Sequence, residues 1–401
     1  MTIRNDFPMI NENCIYFDNG ATTFKPQCVI DKVVEYYKEY NSNSHRGEYK
    51  ISIKTNSEFE NVRKKVKQFI NAEKLEEIIF TSGTTHGMNL IINGFFKEYL
   101  NQDDEVLITE VEHASNVLPW FNLKKEKKIN INYIPLVENN ITKEKLEQSI
   151  TSKTKVISIA HVTNTLGDVR NIKMINEIAK KNGILVVVDA AQSVPHMKID
   201  VKSLDVDFLV FSSHKMLGPG GVGVLYGKKG LLEKMNPINL GGGMNASFEK
   251  NGSCILKKLP YKLEAGTQNI EGVIGFGKAI DYLNKIGMEN IHNYELDLKK
   301  YMVEKLEKIP YVTVYNKKTT SGIVLFNIKE VFSQDVSCFL DKYNICIRSG
   351  NHCAKMLENV INVTNTCRVS FYIYNTKEEI DFFIDLLKKG PDQIKLEAIV
   401  C

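Results

Sequence analysis

From about residue 28 to residue 230 the chain alternates short apolar runs with longer segments whose apolar residues recur every three or four positions. A bounded apolar run reads as a buried strand, and the three-to-four spacing reads as a helix that buries one stripe. Strand and helix in regular alternation predict a mostly parallel sheet covered by helices on both faces. The apolar runs predict seven strands, over 77–81, 105–109, 129–134, 155–160, 184–188, 208–211 and 223–226. After Gly241, Gly242 and Gly243 the composition turns polar through residue 258, and from 273 onward helix and strand patterns interleave. A chain of 401 residues exceeds the ~250–300 at which one core stops growing. The expected organisation is an α/β large domain over 15–272 with a seven-stranded sheet, and a smaller α+β domain built from 1–14 and 273–401.

Composition narrows the function. Lys and Arg exceed Asp and Glu by only 52 − 48 = 4, and the main basic cluster, Lys124, Lys125, Lys127 and Lys128, is interrupted by Glu126. That is a solvated helix end and not a nucleic-acid surface. No stretch approaches the ~18 apolar residues of a membrane span, and the N-terminus lacks the apolar core of a signal peptide. A cytoplasmic location is expected, with the cysteines mostly reduced.

The apolar run Phe208–Phe211 ends in Ser212, Ser213, His214 and Lys215 and breaks at once into the glycines 218, 220, 221 and 223. Hydroxyls, an imidazole and an amine thus collect at the end of a buried strand, where open α/β sheets bind ligands. Thr81 through Gly87 follow a strand and open a helix, as an anion cup does, although the same residues serve as ordinary caps. Asp189 directly follows the apolar Ile184–Val188, and a carboxylate there needs a partner. A cationic ring nitrogen and a set of loop amides are equally good candidates. Asp189, an anion cup and Lys215 together suit pyridoxal 5′-phosphate, whose ring nitrogen, phosphate and aldehyde each gain a partner.

The motifs Ser82-Gly83-Thr84-Thr85, Glu112-His113 with Asn116, His161 with Asn164 and Gly167, Asp189 with Gln192, and Ser212 with His214-Lys215 resemble those of fold-type I, class V aminotransferase-like enzymes. Arg348 through Cys353-Ala354, and Asn43 through His45-Arg46-Gly47, resemble the group II, SufS-type cysteine desulfurases and the related selenocysteine lyases. The resemblance runs from about Ile15 to Leu387. It implies that Lys215 carries the cofactor covalently and shuttles a proton, that Asp189 faces the ring nitrogen, that His113 stacks on the ring and that Gln192 bonds the phenolic oxygen. It implies a phosphate held by Thr84, Thr85, Ser212 and His214, with Thr267 from a neighbouring subunit of a homodimer. Arg368 and Asn164 would bind the substrate carboxylate, with His45, Arg46 and Arg348 also at the substrate. Cys353 would be the nucleophile that takes sulfur from L-cysteine, leaving L-alanine, and would hand it to a SufE- or SufU-like acceptor for iron-sulfur cluster assembly.

Three features depart from the family pattern: Asn351 stands where many relatives have histidine, Gln268 where most have proline, and the tail 390–401 matches no family role. The residues 244–263 fall where group II enzymes carry a hairpin that reaches the partner. Cys14, Cys28, Cys254 and Cys338 are expected to be inert, Cys346 and Cys367 to be packed strand residues, and Cys401 to be a free thiol. Rival readings are an aminotransferase or selenocysteine lyase on the same cofactor, and a Cys/His metal-binding or sulfur-carrier scaffold. The wide spacing of the cysteines disfavours the scaffold.

Overall fold

The computed structural model describes residues 2–12, 14–44 and 47–398. Seven strands form one sheet: β1 (Ile78–Thr81), β2 (Glu105–Ile108), β3 (Asn130–Tyr133), β4 (Thr154–Ala160), β5 (Leu185–Asp189), β6 (Phe208–Ser212) and β7 (Gly223–Gly227). Their order is β1-β7-β6-β5-β4-β2-β3. All neighbours are parallel except β7, which runs antiparallel to both β1 and β6. Two reversals bring β1 back to the direction of β6, so β1, β2, β4, β5 and β6 all deliver their C-terminal ends to one edge. This is the expected mostly parallel seven-stranded sheet.

The apolar runs are continuous because both faces are covered. Val186, Val188, Leu209 and Phe211 face one hydrophobic core, whereas Val187, Phe208 and Val210 face another, which is the period-two alternation of a strand buried on both sides. The first core includes residues of the helices Gln27–Glu39, Lys50–Phe69, Ile172–Lys181 and Ile270–Ile286; the second includes Met88, Leu90 and the buried Trp120. The helix expected over 85–99 is interrupted by a π-helical turn at Ile92–Phe96. Gly94 there lies against Asn236, whose N–H donates to the Gly94 carbonyl at 2.8 Å, and a Cβ at 94 would come within 2.3 Å of the Asn236 carbonyl oxygen.

A second, antiparallel sheet orders Val312–Val314, Ile323–Ile328, Thr366–Ser370 and Arg348–Gly350, with its own core around Met302, Phe326, Phe339 and Phe383. A division at 272/273 falls inside the helix Ile270–Ile286, which Asn269 caps by accepting from the Gly272 N–H at 2.9 Å. That helix packs in the large-sheet core, as does Phe7 from the N-terminal segment assigned by sequence to the smaller domain. Helical periodicity alone does not say which sheet a helix covers. Among the described residues no helix is long and apolar enough to cross a membrane.

The polar stretch after Gly243 contains a short hairpin, Asn245–Phe248 with Cys254–Leu256, that leaves Phe248 and Ile255 exposed. The loop that follows is fixed by a buried forked ion pair. Arg63 Nη1 and Nη2 reach Glu264 Oε1 and Oε2 at 2.7 and 3.0 Å, and the same carboxylate accepts from the Phe80 N–H of β1 at 2.7 Å. Removing one member strands a buried charge, which costs ~3–5 kcal/mol. Glu264→Ala is therefore expected to lose about that much stability in urea unfolding, whereas a surface pair such as Lys97–Glu126, if broken, is expected to change it by less than ~1 kcal/mol.

Candidate active site

At the shared C-terminal edge of the strands lies a cavity of about 210 Å³. Lys215, Asp189, His113, Gln192, Thr84, Thr85, Ser212, His214, Asn164 and Arg348 all line it. Ten of the residues singled out in the sequence therefore meet at one place. Asp189 ends β5 and Ser212 ends β6, while Thr84 opens the helix Thr84–Ile91 just after β1.

The candidate anion cup is built across strands. Ser212 Oγ accepts from the Thr84 N–H at 2.8 Å and lies 2.7 Å from Thr84 Oγ1. Thr85 Oγ1 lies 2.7 Å from Ser115 Oγ, and Ser115 in turn donates its backbone N–H to His113 Nδ1 at 3.1 Å. An acceptor at Nδ1 puts the imidazole proton on Nε2. The cup closes because β7 passes at contact distance: a Cβ on Gly223 would sit 2.5 Å from the Gly83 Cα. Backbone approach, not flexibility, requires glycine there.

The Lys215 turn is held from the N-terminal segment. The His214 carbonyl accepts from the Thr23 N–H at 3.1 Å and from Lys25 Nζ at 3.0 Å, while Thr23 Oγ1 accepts from the Leu217 N–H at 3.0 Å. Leu217 takes φ +67°, a conformation that this local hydrogen bonding sustains.

Burial sets the protonation states. It pulls the Lys215 amine down to about 8, with Asp189 opposing and the Arg368 and Arg348 cations reinforcing. Burial lowers His113 to about 4, helped by Lys215, so the ring is neutral at pH 7. Burial raises Asp189 to about 6, against the pull of the Ala191 N–H and Lys215. Because the amine's pKa is depressed, it gains its neutral, nucleophilic form as pH rises through about 8. Acetylation of Lys215 in the cofactor-free protein, read by peptide mass spectrometry, is expected to rise about tenfold per pH unit below 8 and to level off above it. A midpoint near the ordinary lysine value of ~10.4 would contradict the buried setting.

The residues fit pyridoxal phosphate on the chemistry of the donor set. Asp189 is a carboxylate whose pKa burial raises, and a cationic ring N–H beside it would offset the cost of keeping it ionised there. Gln192 donates through Nε2 to the Gly20 carbonyl at 2.8 Å, but its buried Oε1 has no partner, and neither does the buried Asn164 Oδ1. Buried polar atoms of this kind call for a ligand that bonds them.

Other expected residues lie elsewhere. Thr267 lines a different cavity, with Ser82, His86 and Gln268, and accepts from Asn43 Nδ2 at 3.2 Å. Within one chain it does not reach the Lys215 cavity. Arg368 is fully buried behind Gly20: it contacts Asp18 Oδ1 at 2.7 Å and the Asn164 carbonyl at 2.9 Å, leaving Nε unpartnered. His45 and Arg46 fall outside the described residues. Cys353 is exposed on the loop after Arg348–Gly350, with φ +59°, and Arg348 Nη2 lies 3.3 Å from its Sγ. Its carbonyl accepts from the Ala114 N–H at 2.7 Å, and the neighbouring His352 carbonyl accepts from Asn164 Nδ2 at 2.7 Å. The loop is thus docked against the residue after His113 and against a residue of the Lys215 cavity.

Two supports escaped the sequence reading. Arg170, fully buried, reaches Glu112 Oε1 at 2.5 Å and Asp168 Oδ2 at 3.3 Å, and Glu112 Oε2 also accepts from Asn116 Nδ2 and the Ala160 N–H. This network fixes the turn that carries His113. Ser115, which couples Thr85 to His113, is the other. A lone Arg or Ser carries no pattern that announces such roles. Among the described residues no group of three or more His, Cys, Asp or Glu is arranged to hold a metal ion.

An α/β sheet that gathers an amine, a carboxylate and several hydroxyls at its C-terminal edge has the donor set of an enzyme that works on an anionic, nitrogen-containing ring cofactor. The chain belongs to the aminotransferase class-V family, whose model matches residues 15–383. Within that family it is similar to a probable cysteine desulfurase of Halalkalibacterium halodurans, at 43% identity over 98% of this chain and 97% of the relative. A cysteine desulfurase of Wigglesworthia glossinidia brevipalpis is 41% identical over 96% of each chain. Among solved structures, the apo cysteine desulfurase of Thermococcus onnurineus superposes with a TM-score of 0.93 at 36% identity, covering 98% of both chains.

Proposed function

We propose that this protein is a pyridoxal-phosphate-dependent cysteine desulfurase that converts L-cysteine to L-alanine and keeps the sulfur as a persulfide on Cys353. The observation that carries the reading is the docking of the Arg348–Cys353 loop, through Ala114 and Asn164, against the cavity that holds Lys215 and Asp189. When bound, pyridoxal phosphate supplies an electron sink for charge developing at the substrate Cα.

Each residue has a task that its surroundings suit. Thr84, Thr85, Ser212 and His214 would hold the phosphate, joined by Thr267 of a second copy in a homodimer. Asp189 would keep the ring nitrogen protonated, Gln192 would face the phenolic oxygen, and neutral His113 would help to hold the ring. Lys215 would hold the cofactor covalently, and its amine, lowered by burial to about 8, is matched to moving the proton at the substrate Cα. Arg368 and Asn164, with Arg348, His45 and Arg46, orient the substrate carboxylate; turning Arg368 Nε toward it would give the forked contact that guanidinium favours. The Cys353 thiolate, beside the Arg348 cation, attacks the substrate sulfur. The carbon–sulfur bond breaks, a sulfur–sulfur bond forms, and the carbon skeleton leaves as alanine.

The persulfide is then handed to a SufE- or SufU-like acceptor in the cytoplasm for iron-sulfur cluster assembly. Incubation with L-cysteine is expected to release alanine and to add one sulfur to the peptide carrying Cys353. Alanine release with L-selenocysteine but not with L-cysteine would overturn the sulfur assignment in favour of a selenocysteine lyase.

A further inference from the structure

Ile15–Tyr16 pairs in parallel with Ile345–Cys346, an isolated two-stranded contact that brings the N-terminal segment onto the smaller sheet's unit. Across it the sulfurs of Cys14 and Cys346 lie 3.5 Å apart although 332 residues separate them in sequence. Both side chains are half-buried, so a small reagent can reach them, and neither belongs to the cavity of Lys215. A disulfide requires the sulfurs to close from 3.5 Å to ~2.05 Å, and because the parallel register sets Cys346 opposite Tyr16, the segment before Ile15 must shift with the Cys14 side chain.

We infer that Cys14 and Cys346 form a redox modification site, a dithiol that low-molecular-weight disulfides convert reversibly into an intramolecular disulfide. In the first exchange the Cys14 thiolate attacks one sulfur of the small disulfide, forming a mixed disulfide and releasing one thiolate. The Cys346 thiolate then attacks the Cys14 sulfur and releases the second. The protein dithiol is oxidised by two electrons, the small disulfide is reduced to two thiols, and the two protein protons end on those thiols. Burial and the neighbouring Cys14 raise the Cys346 thiol, so closure of the bond is expected to speed up as pH rises.

The location gives the bond a consequence. Four residues after Cys14, Asp18 binds Arg368, and two residues after Cys346, Arg348 contacts the Cys353 sulfur. The disulfide would tie together the two segments that carry those contacts. It would also close a very long loop, which constrains the unfolded chain strongly.

The test uses the full chain carrying Cys353→Ser, so that its exposed thiol does not compete, incubated with oxidised glutathione and digested without reduction. The expected result is a peptide containing Cys14 joined to one containing Cys346, a dithiothreitol-reversible rise in Tm, and loss of both signals in Cys14→Ser, whose basal turnover in the otherwise wild-type enzyme is unchanged. Glutathione on the exposed Cys254 with Cys14 and Cys346 both still free would overturn the assignment, since it shows that the oxidant reached the protein and passed the pair by. Because the readout needs neither cofactor nor turnover, its outcome is independent of the desulfurase reading.

Discussion

Lys215→Ala is expected to abolish turnover of L-cysteine, with alanine release falling by at least ~10⁴-fold, and to remove the visible absorbance of covalently held pyridoxal phosphate. Two tasks are lost at once, covalent attachment and proton transfer at Cα, and proton transfer alone is worth ~10²–10⁴-fold. Among the described residues the cavity offers no substitute base. His113, held near 4, is too weak, and Asp189, near 6, is assigned to the ring nitrogen. Lys25 has a pKa of about 8 like Lys215, but its Nζ is spent on the Thr23 and His214 carbonyls. The variant is expected to fold, because the backbone of the turn at 214–217 is held by the hydroxyls of Thr22 and Thr23 and not by the Lys215 amine. Retained alanine production in the variant would exclude Lys215 as the essential amine.

Cys353→Ser is expected to keep the cofactor spectrum and to lose alanine and sulfide release by on the order of 10³-fold, since a hydroxyl cannot accept the sulfur. Here the separation of readouts matters. Cys353 lies on an exposed loop outside the cavity lining, so cofactor binding has no reason to change. The loop's docking uses the carbonyls of His352 and Cys353, which serine preserves. The peptide carrying residue 353 should then show no added sulfur by mass spectrometry. Wild-type alanine release from this variant would reject the nucleophile assignment.

The sheet was legible because buried parallel strands leave an unusual trace: runs such as Val186–Val188 are apolar at every position since both faces are covered. The strand ends were legible too, because Asp189 after Val188 or the polar Ser212–Lys215 after Phe211 breaks the run abruptly. The resemblance then attached roles to residues whose chemistry already fitted a phosphate, a ring nitrogen and an aldehyde.

The amino-acid sequence by itself determined the elements, the class of sheet and the chemical inventory at its edge, since these follow from local periodicity and residue type. Only the tertiary structure decided which cover each helix provides, as with Ile270–Ile286 in the large-sheet core. It alone paired Arg170 with Glu112, Arg63 with Glu264, and Cys14 with Cys346 across 332 positions. The physical reason is that a buried charge or thiol is defined by its partner, and a partner hundreds of residues away leaves no mark on the local pattern. Thr267 shows the same limit one level higher: it lies apart from the Lys215 cavity of its own chain, so its proposed place at a phosphate belongs to an assembly of two.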